Sequence, residues 1–326
     1  MDNSYIIKAD FSNIESESIT DTSKMFYQCT SLTSVNFANF NTPELTTISG
    51  MFSGCESLSS IDLTYLNTTK VEDMSNLFNN CYKLQKIDLS KFKTQKTQSM
   101  ENMFNSCVSL KYLDLNNFVT SNVDNMNKMF NKCYSLTSID ISNFRTSEVI
   151  SMESMFNLCT SLAELNVEHF DTSKVTDMSN MFSSCYNLTS LNLGNWKTKS
   201  VQNMNNMFKN CASLTQIELN SFTTKNVKNM GMMFYGCRSL TSINLSNFST
   251  PIVINIGGIF GKCIKMENID IRKFESSKLE SKSNLLNEVA DRGTIYYDSS
   301  IFNESLLDYK SIKNWNRIDV SEKNNY

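Results

Sequence analysis

The sequence predicts an α/β repeat solenoid: one elongated stack of like units, each a short strand followed by a short helix, closed by a C-terminal cap. Three observations predict it. The ten cysteines, Cys29, Cys55, Cys81, Cys107, Cys133, Cys159, Cys185, Cys211, Cys237 and Cys263, recur every 26 residues with none outside the series. Phenylalanine keeps the same beat three positions earlier, from Phe26 to Phe260. Within a unit the apolar spacing switches from two to three-and-four. A fixed period of this length marks units that bury their apolar faces only by stacking on one another.

Taken in order, Ile6, Ala9, Phe11, Ile14 and Ile19 stand one period before Leu32, Val35, Phe37, Phe40 and Leu45, without a Met-Phe-x-x-Cys half of their own. Residues 1–22 are therefore read as a partial repeat, and the chain as a fragment of a longer protein. Residues 23–282 hold ten repeats. In each, alternation such as Leu191 and Leu193 against Ser190, Asn192 and Gly194 predicts a half-buried strand. The spacing of Val201, Met204, Met207, Phe208, Cys211 and Leu214 predicts a helix, capped by residues such as Asp73, Asp177 and Asn203.

The pattern decays at Ile256, Ile259, Met266 and Lys282. Residues 283–326 are read as the cap over the open end of the stack. Ser283 begins a helix bearing Leu285, Leu286 and Val289 and ended by Gly293. A strand follows at Thr294–Tyr297, then a short helix from Leu306 to Lys313 and an extended piece from Trp315 to Val320.

The unit text Met-Phe-x-x-Cys-x-x-Leu-x-x-Ile/Leu-x-Leu-x-x-Phe-x-Thr, written MFNKCYSLTSIDISNFRT from Met129 to Thr146, is a leucine-rich-repeat pattern. Its form resembles the BspA-like family of leucine-rich-repeat surface proteins over Met25 to Lys282. The resemblance implies a curved right-handed solenoid with a parallel concave sheet and short convex helices, in surface-exposed binding and adhesion proteins. It names no ligand. The unit departs from the general pattern where an Asn or Cys would form a buried ladder. Phe40, Leu66, Phe92, Phe118, Phe144, Phe170, Trp196, Phe222, Phe248 and Phe274 stand there, which predicts a stacked aromatic spine in its place.

A formal charge of −3 supplies no basic field for nucleic acid or an anionic membrane surface. No run of about 18 apolar residues predicts a membrane span, and no basic-then-apolar start predicts a signal peptide. Location at the cell surface or in the medium rests on the family resemblance, with the cytoplasm as the alternative. The cysteines lack the close pairs of a zinc site and lie on the apolar stripe, which predicts buried free thiols, with disulfides between stacked neighbours as the alternative. No metal or cofactor is expected. Gly257, Gly258 and Gly261 lack the lysine and serine of a phosphate loop. His169 is the only histidine, at a place held elsewhere by Asn143, Asn195 and Asn247, and has no marked catalytic partner.

The outward column between the strand hydrophobes runs Asn36, Asp62, Asp88, Asp114, Asp140, Asn166, Asn192, Glu218, Asn244, Asp270. Stacked strands lie about 4.8 Å apart, so Asp62, Asp88, Asp114 and Asp140 line up as four carboxylates. As a binding strip, with Tyr65, Tyr112 and His169 beside it, this column meets a cationic protein surface or loosely held calcium. As a solubility device, it keeps the sheet from pairing with others, with Lys86 and Lys91 offsetting charge. No compact Asp-x-Asp-x-Asp-Gly calcium loop appears. The expected function is non-catalytic binding of a host, matrix or cell-surface protein. The alternatives are a spacer or self-associating coat element and an intracellular scaffold.

Overall fold

The computed structural model describes residues 4–307 and 310–321, and the chain divides into two compact units, up to residue 165 and from 166 onward. Each unit is a parallel-strand solenoid whose turns repeat the 26-residue period. The first holds β1 (Lys8–Asp10), β2 (Ser34–Asn36), β3 (Tyr112–Asp114) and β4 (Ser138–Asp140). The second holds β5 (Ser190–Leu191), β6 (Gln216–Ile217), β7 (Ser242–Asn244), β8 (Asn268–Asp270), β9 (Thr294–Tyr297) and β10 (Asn316–Asp319). Pairing is parallel throughout: β1 with β2, β3 with β4, β5 with β6, and β7 to β10 in sequence order. The partners Lys8 and Ser34, Tyr112 and Ser138, and Asn268 and Thr294 each lie one period apart. The alternation read from the sequence holds, with Leu191 and Leu193 buried and Ser190, Asn192 and Gly194 exposed.

The short convex helices are not formed. Among the described residues the only helix is the 3-10 turn Glu304–Leu306. Residues spaced like a helical stripe, Val201, Met204, Met207, Phe208, Cys211 and Leu214, are all fully buried, but a different backbone buries them. Alternate N–H groups reach forward to the next turn: Met74 to Ser99 O (3.1 Å), Asn76 to Glu101 O (2.7 Å), Phe78 to Met103 O (2.9 Å) and Asn80 to Asn105 O (2.8 Å). Those between them close tight turns, such as Asn79 to Asn76 O and Cys81 to Phe78 O (both 3.1 Å). This alternation needs a left-handed residue twice per turn, as at Asn76 (φ 58°) and Asn80 (φ 61°), or Asn206 (φ 57°) and Asn210 (φ 59°). Asparagine tolerates that region better than most residues. Parallel bridges add a further line, Asp21 to Thr47 to Asp73 to Ser99 in the first unit and Asp177 to Asn203 to Asn229 to Asn255 in the second. The predicted helix caps close turns instead: Asp73 accepts from Ser75 N (2.8 Å) and Asp177 from Ser179 N (2.7 Å).

The text from Ser283 does not form the expected helix either. It makes one more turn of the same alternating kind, with Gly258 N donating to Ser283 O (2.9 Å), Phe260 N to Leu285 O (3.0 Å), and Asn284 at φ 59°. The strand predicted at Thr294–Tyr297 is β9, and the extended piece after Trp315 contains β10. The predicted helix from Leu306 to Lys313 runs through residues 308 and 309, which lie outside the described residues.

Two aromatic columns fill the core. The predicted spine is present, with Phe92 and Phe118 at 6.5 Å and 5° in the first unit, and Phe170, Trp196, Phe222 and Phe248 at 6.2–6.4 Å in the second. A closer column joins Phe26, Phe52, Phe78, Phe104, Phe130 and Phe156 at 5.4–5.9 Å, and another joins Phe182, Phe208, Phe234 and Phe260 at 5.5–5.9 Å. The spine does not replace a hydrogen-bonded ladder; it runs beside one made of threonine. Thr94 Oγ1 accepts from Val119 N (2.7 Å) and donates to Val119 O (2.9 Å), and Thr68, Thr172, Thr198 and Thr250 make the same double contact one turn on.

Candidate functional site

The outward column of the strand segment is the candidate site, and its side chains are held by the chain they grow from. Asp62 Oδ1 accepts from Thr64 N (3.0 Å), Asp88 Oδ1 from Ser90 N (2.9 Å), Asp114 Oδ1 from Asn116 N (3.0 Å) and Asp140 Oδ1 from Ser142 N (3.0 Å). Each is an Asx-turn, in which a short polar side chain caps the N–H two residues on and leads the backbone out of the strand. Asn36, Asn192 and Asn244 do the same with Ala38, Gly194 and Ser246. Hydroxyls reinforce it, as Thr64 Oγ1 donates to Asp62 (2.8 Å) and Ser142 Oγ to Asp140 (2.7 Å). Hydrogen bonds from the Ser90 hydroxyl and N–H, with help from Lys91, hold the Asp88 carboxyl below its ordinary range. The N–H and hydroxyl of Ser142 lower Asp140 in the same way.

The predicted site residues divide into three groups. Tyr112, Asp114 and Asp140 come together through β3 and β4, where Asp114 and Asp140 are direct register partners. Tyr112 is 55% exposed beside them. Asp62, Tyr65 and Asp88 are exposed in the same unit but lie outside the named strands. His169 is exposed in the second unit, its ring set edge-on to Phe170 at 5.1 Å. The sequence reading missed a depression of about 320 Å³ over β5 and β6, where Ser190, Asn192, Gln216 and Glu218 rim Leu191 and Ile217. Its one signal is Glu218, the only member of the outward column from Asn36 to Asp270 that is neither Asp nor Asn.

The cysteine column carries chemistry of a different kind. All ten thiols are buried and unbridged. Cys55 Sγ donates to Phe26 O (3.2 Å), Cys133 to Phe104 O (3.2 Å) and Cys237 to Phe208 O (3.1 Å), always one turn back. Burial pushes the Cys55 and Cys133 thiols up to about 12, which keeps them protonated and unreactive. No group of three or more His, Cys, Asp or Glu side chains suited to a metal ion occurs among the described residues.

A family model described as "Mycoplasma protein of unknown function, DUF285" matches residues 2–112, 102–216, 186–295 and 215–325. The chain belongs to the DUF285 family. Each match takes in several of the 26-residue units, so the family text is the repeat itself. No curated protein sequence matches this DUF285 chain. Among solved structures it is similar to an internalin from Listeria monocytogenes (16% identity, TM-score 0.28, covering 97% of this chain and 87% of that one). It is also similar to a leucine-rich-repeat protein of Leptospira interrogans (16%, 0.25, 96% and 89%). A TLR13–ssRNA13 complex matches at 14% and 0.34 over 88% of this chain, which spans 42% of the length of that chain. No helix among the described residues of the DUF285 chain is long and apolar enough to cross a membrane.

Proposed function

We propose that this chain is a non-catalytic binding protein that presents the strand face of its turns to a protein partner. The observation that carries the reading is the Asx-turn column with its exposed tyrosines. Each carboxylate uses one oxygen on its own turn and is thereby fixed in direction, and Tyr65 and Tyr112 are exposed in the same unit. Side chains fixed before binding lose less conformational entropy on association. Carboxylates in line suit a partner with a basic surface patch, and tyrosine supplies contact area at low entropic cost. Adhesion at a cell surface, as in the BspA-like proteins that the repeat text resembles, is the setting we assign to it.

The test separates charge from turn chemistry. Asparagine closes the same turn at Asn36, Asn192 and Asn244, so changing Asp62, Asp88, Asp114 and Asp140 together to Asn keeps the backbone and removes four charges. Surface plasmon resonance of parent and variant over immobilised matrix and cell-surface proteins reads the result. The reading predicts a ligand that binds the parent in a salt-dependent manner and binds the variant at least about tenfold more weakly. Equal binding by a variant with unchanged melting would remove the acidic column from recognition.

A further inference from the structure

Two depressions on the turns that carry the left-handed residues share a construction. In the first unit, Tyr27 stands on one turn, Gly50 on the next, and Asn76 and Asn79 on the turn after, around a cavity of about 260 Å³. In the second unit, Tyr235, Gly258, Asn284 and Asn287 surround a cavity of about 390 Å³. Each residue of the second set lies eight 26-residue periods after its counterpart in the first. The repeat does not demand this. In the column of Tyr27 and Tyr235 the other turns carry Asn, Ser, Lys or Gly, and in the column of Gly50 and Gly258 they carry Asn, Lys, Ser or Met.

The fold does not need the glycine at Gly50. Its φ of 61° is matched by Asn76 at 58°, Asn102 at 55° and Asn180 at 56° in the same column. A Cβ there would meet Lys24 Cγ at 3.5 Å, Ser53 Cβ at 3.8 Å and Asn76 Cβ at 4.0 Å, all ordinary contacts. At Gly258 a Cβ would meet Tyr235 Cδ2 at 3.7 Å and the flexible Met232 side chain at 3.3 Å. What the missing side chain does in both places is open a floor beside a tyrosine ring. Tyr27 is 45% exposed with the Lys24 ammonium 5.9 Å from its ring centre. Tyr235 has Lys209 and Lys262 at 5.8 Å each.

The polar lining narrows the ligand. Asparagine amides present a donor and an acceptor side by side. Asn206 is among the residues lining the second cavity; its amide nitrogen donates to Asn180 Oδ1 (3.0 Å), and its Oδ1 is buried without a hydrogen-bond partner. An extended peptide would need free main-chain groups to pair with, but around the first floor these are already used between turns, as in Asn76 N to Glu101 O and Gly50 N to Ser75 O. Adjacent hydroxyls that both donate and accept, on a ring with an apolar C–H face, fit an amide pair and a tyrosine. We propose that the two depressions are saccharide-binding sites, one in each unit, in which tyrosine stacks on a sugar ring and the asparagines bind its hydroxyls. They are separate from the strand face assigned to a protein partner.

The variants come from the chain's own columns. Tyr27→Asn and Tyr235→Asn install the residue found at Asn79, Asn105 and Asn131, and Gly50→Asn and Gly258→Asn install that of Asn76 and Asn102. The intact chain is screened on a glycan array of neutral, acetamido and acidic oligosaccharides, and the strongest binder is titrated calorimetrically. The expected result is two equivalents bound per chain, one in either single tyrosine variant, and a loss of more than about tenfold in the double tyrosine and double glycine variants. Melting should be unchanged, and the quadruple Asp→Asn variant should bind saccharide as the parent does. Absence of any bound saccharide, full binding by the double tyrosine variant, or tyrosine-dependent capture of a poly-glutamate probe without saccharide binding would each overturn the proposal.

Discussion

Replacing Thr94 by valine tests whether the threonine column is a hydrogen-bonded ladder or a packing position. Thr94 is fully buried, and its hydroxyl is the partner of both main-chain groups of Val119, at 2.7 Å and 2.9 Å. Valine keeps the volume and removes both contacts. An unmet buried polar group costs about 1–3 kcal/mol; Val119 is itself 37% exposed, so water reaches part of the loss. With two such groups left unmet and water reaching them in part, we expect Thr94→Val to destabilise by about 2 kcal/mol, the low end for the pair. Thr94→Ser keeps the hydroxyl and loses one enclosed methyl, about 1 kcal/mol. The predicted stability order is Thr, then Ser, then Val. Urea unfolding gives the order, and amide hydrogen exchange at Val119 gives its place, because units in a stack of repeats open locally. A packing position would reverse Ser and Val, since valine fills the site better. Val at or above Ser, with exchange at Val119 unchanged, would refute the ladder.

Other outcomes follow from the same geometry. The buried thiols at Cys55 and Cys133 ionise near 12, against an ordinary 9.0. Their contribution to stability is therefore complete below about pH 9 and is lost between about 9 and 12, as the unfolded chain gives up its protons first. Iodoacetamide at pH 8 should label the denatured chain and leave the native chain unmodified. Trp196→Phe keeps a residue the neighbouring turns already carry and loses the bond from Trp196 Nε1 to Val167 O (2.9 Å); thermal melts should show a loss of about 1 kcal/mol. Lys132, exposed at φ 60°, sits where Asn80 and Asn210 sit at 61° and 59°, so Lys132→Asn should raise stability by about 0.5–1 kcal/mol in the same assay.

The period, the register and the buried stripe were legible because stacking forces them. Once Cys and Phe recur every 26 residues, the pairing of Lys8 with Ser34 follows. The helix was misread because a chain of tight turns places buried residues three and four apart, as a helix does. Propensity argued the other way: the stretch Met74 to Cys81 carries Asn76, Asn79 and Asn80, poor helix formers, and two of these are the left-handed residues that the turns require. The threonine ladder was visible as a column from Thr42 to Thr250, but nothing local told its hydroxyls apart from surface threonines. Its meaning lies in contacts 25 residues away.

The outward column was legible as a column and ambiguous as a site, because the residues that suit ligand binding also suit turn closure. Asp-x-Ser/Thr at Asp62, Asp88 and Asp140 is an Asx-turn signature before it is anything else. Glu218 breaks the confound. Its side chain is one methylene too long to close the turn that Asn192 closes on Gly194 and Asn244 on Ser246, and it stands on the rim of the depression over β5 and β6. Its identity is therefore unexplained by the fold, which makes it the member of the column most informative about function. Glu218→Asn should supply the missing turn bond and raise stability by about 0.5–1.5 kcal/mol, read as an increase in the urea midpoint. If Glu218 serves a ligand, the same change weakens binding while strengthening the fold, an opposition that no purely structural residue would show. A variant that is both no more stable and fully active in binding would refute this account of the position.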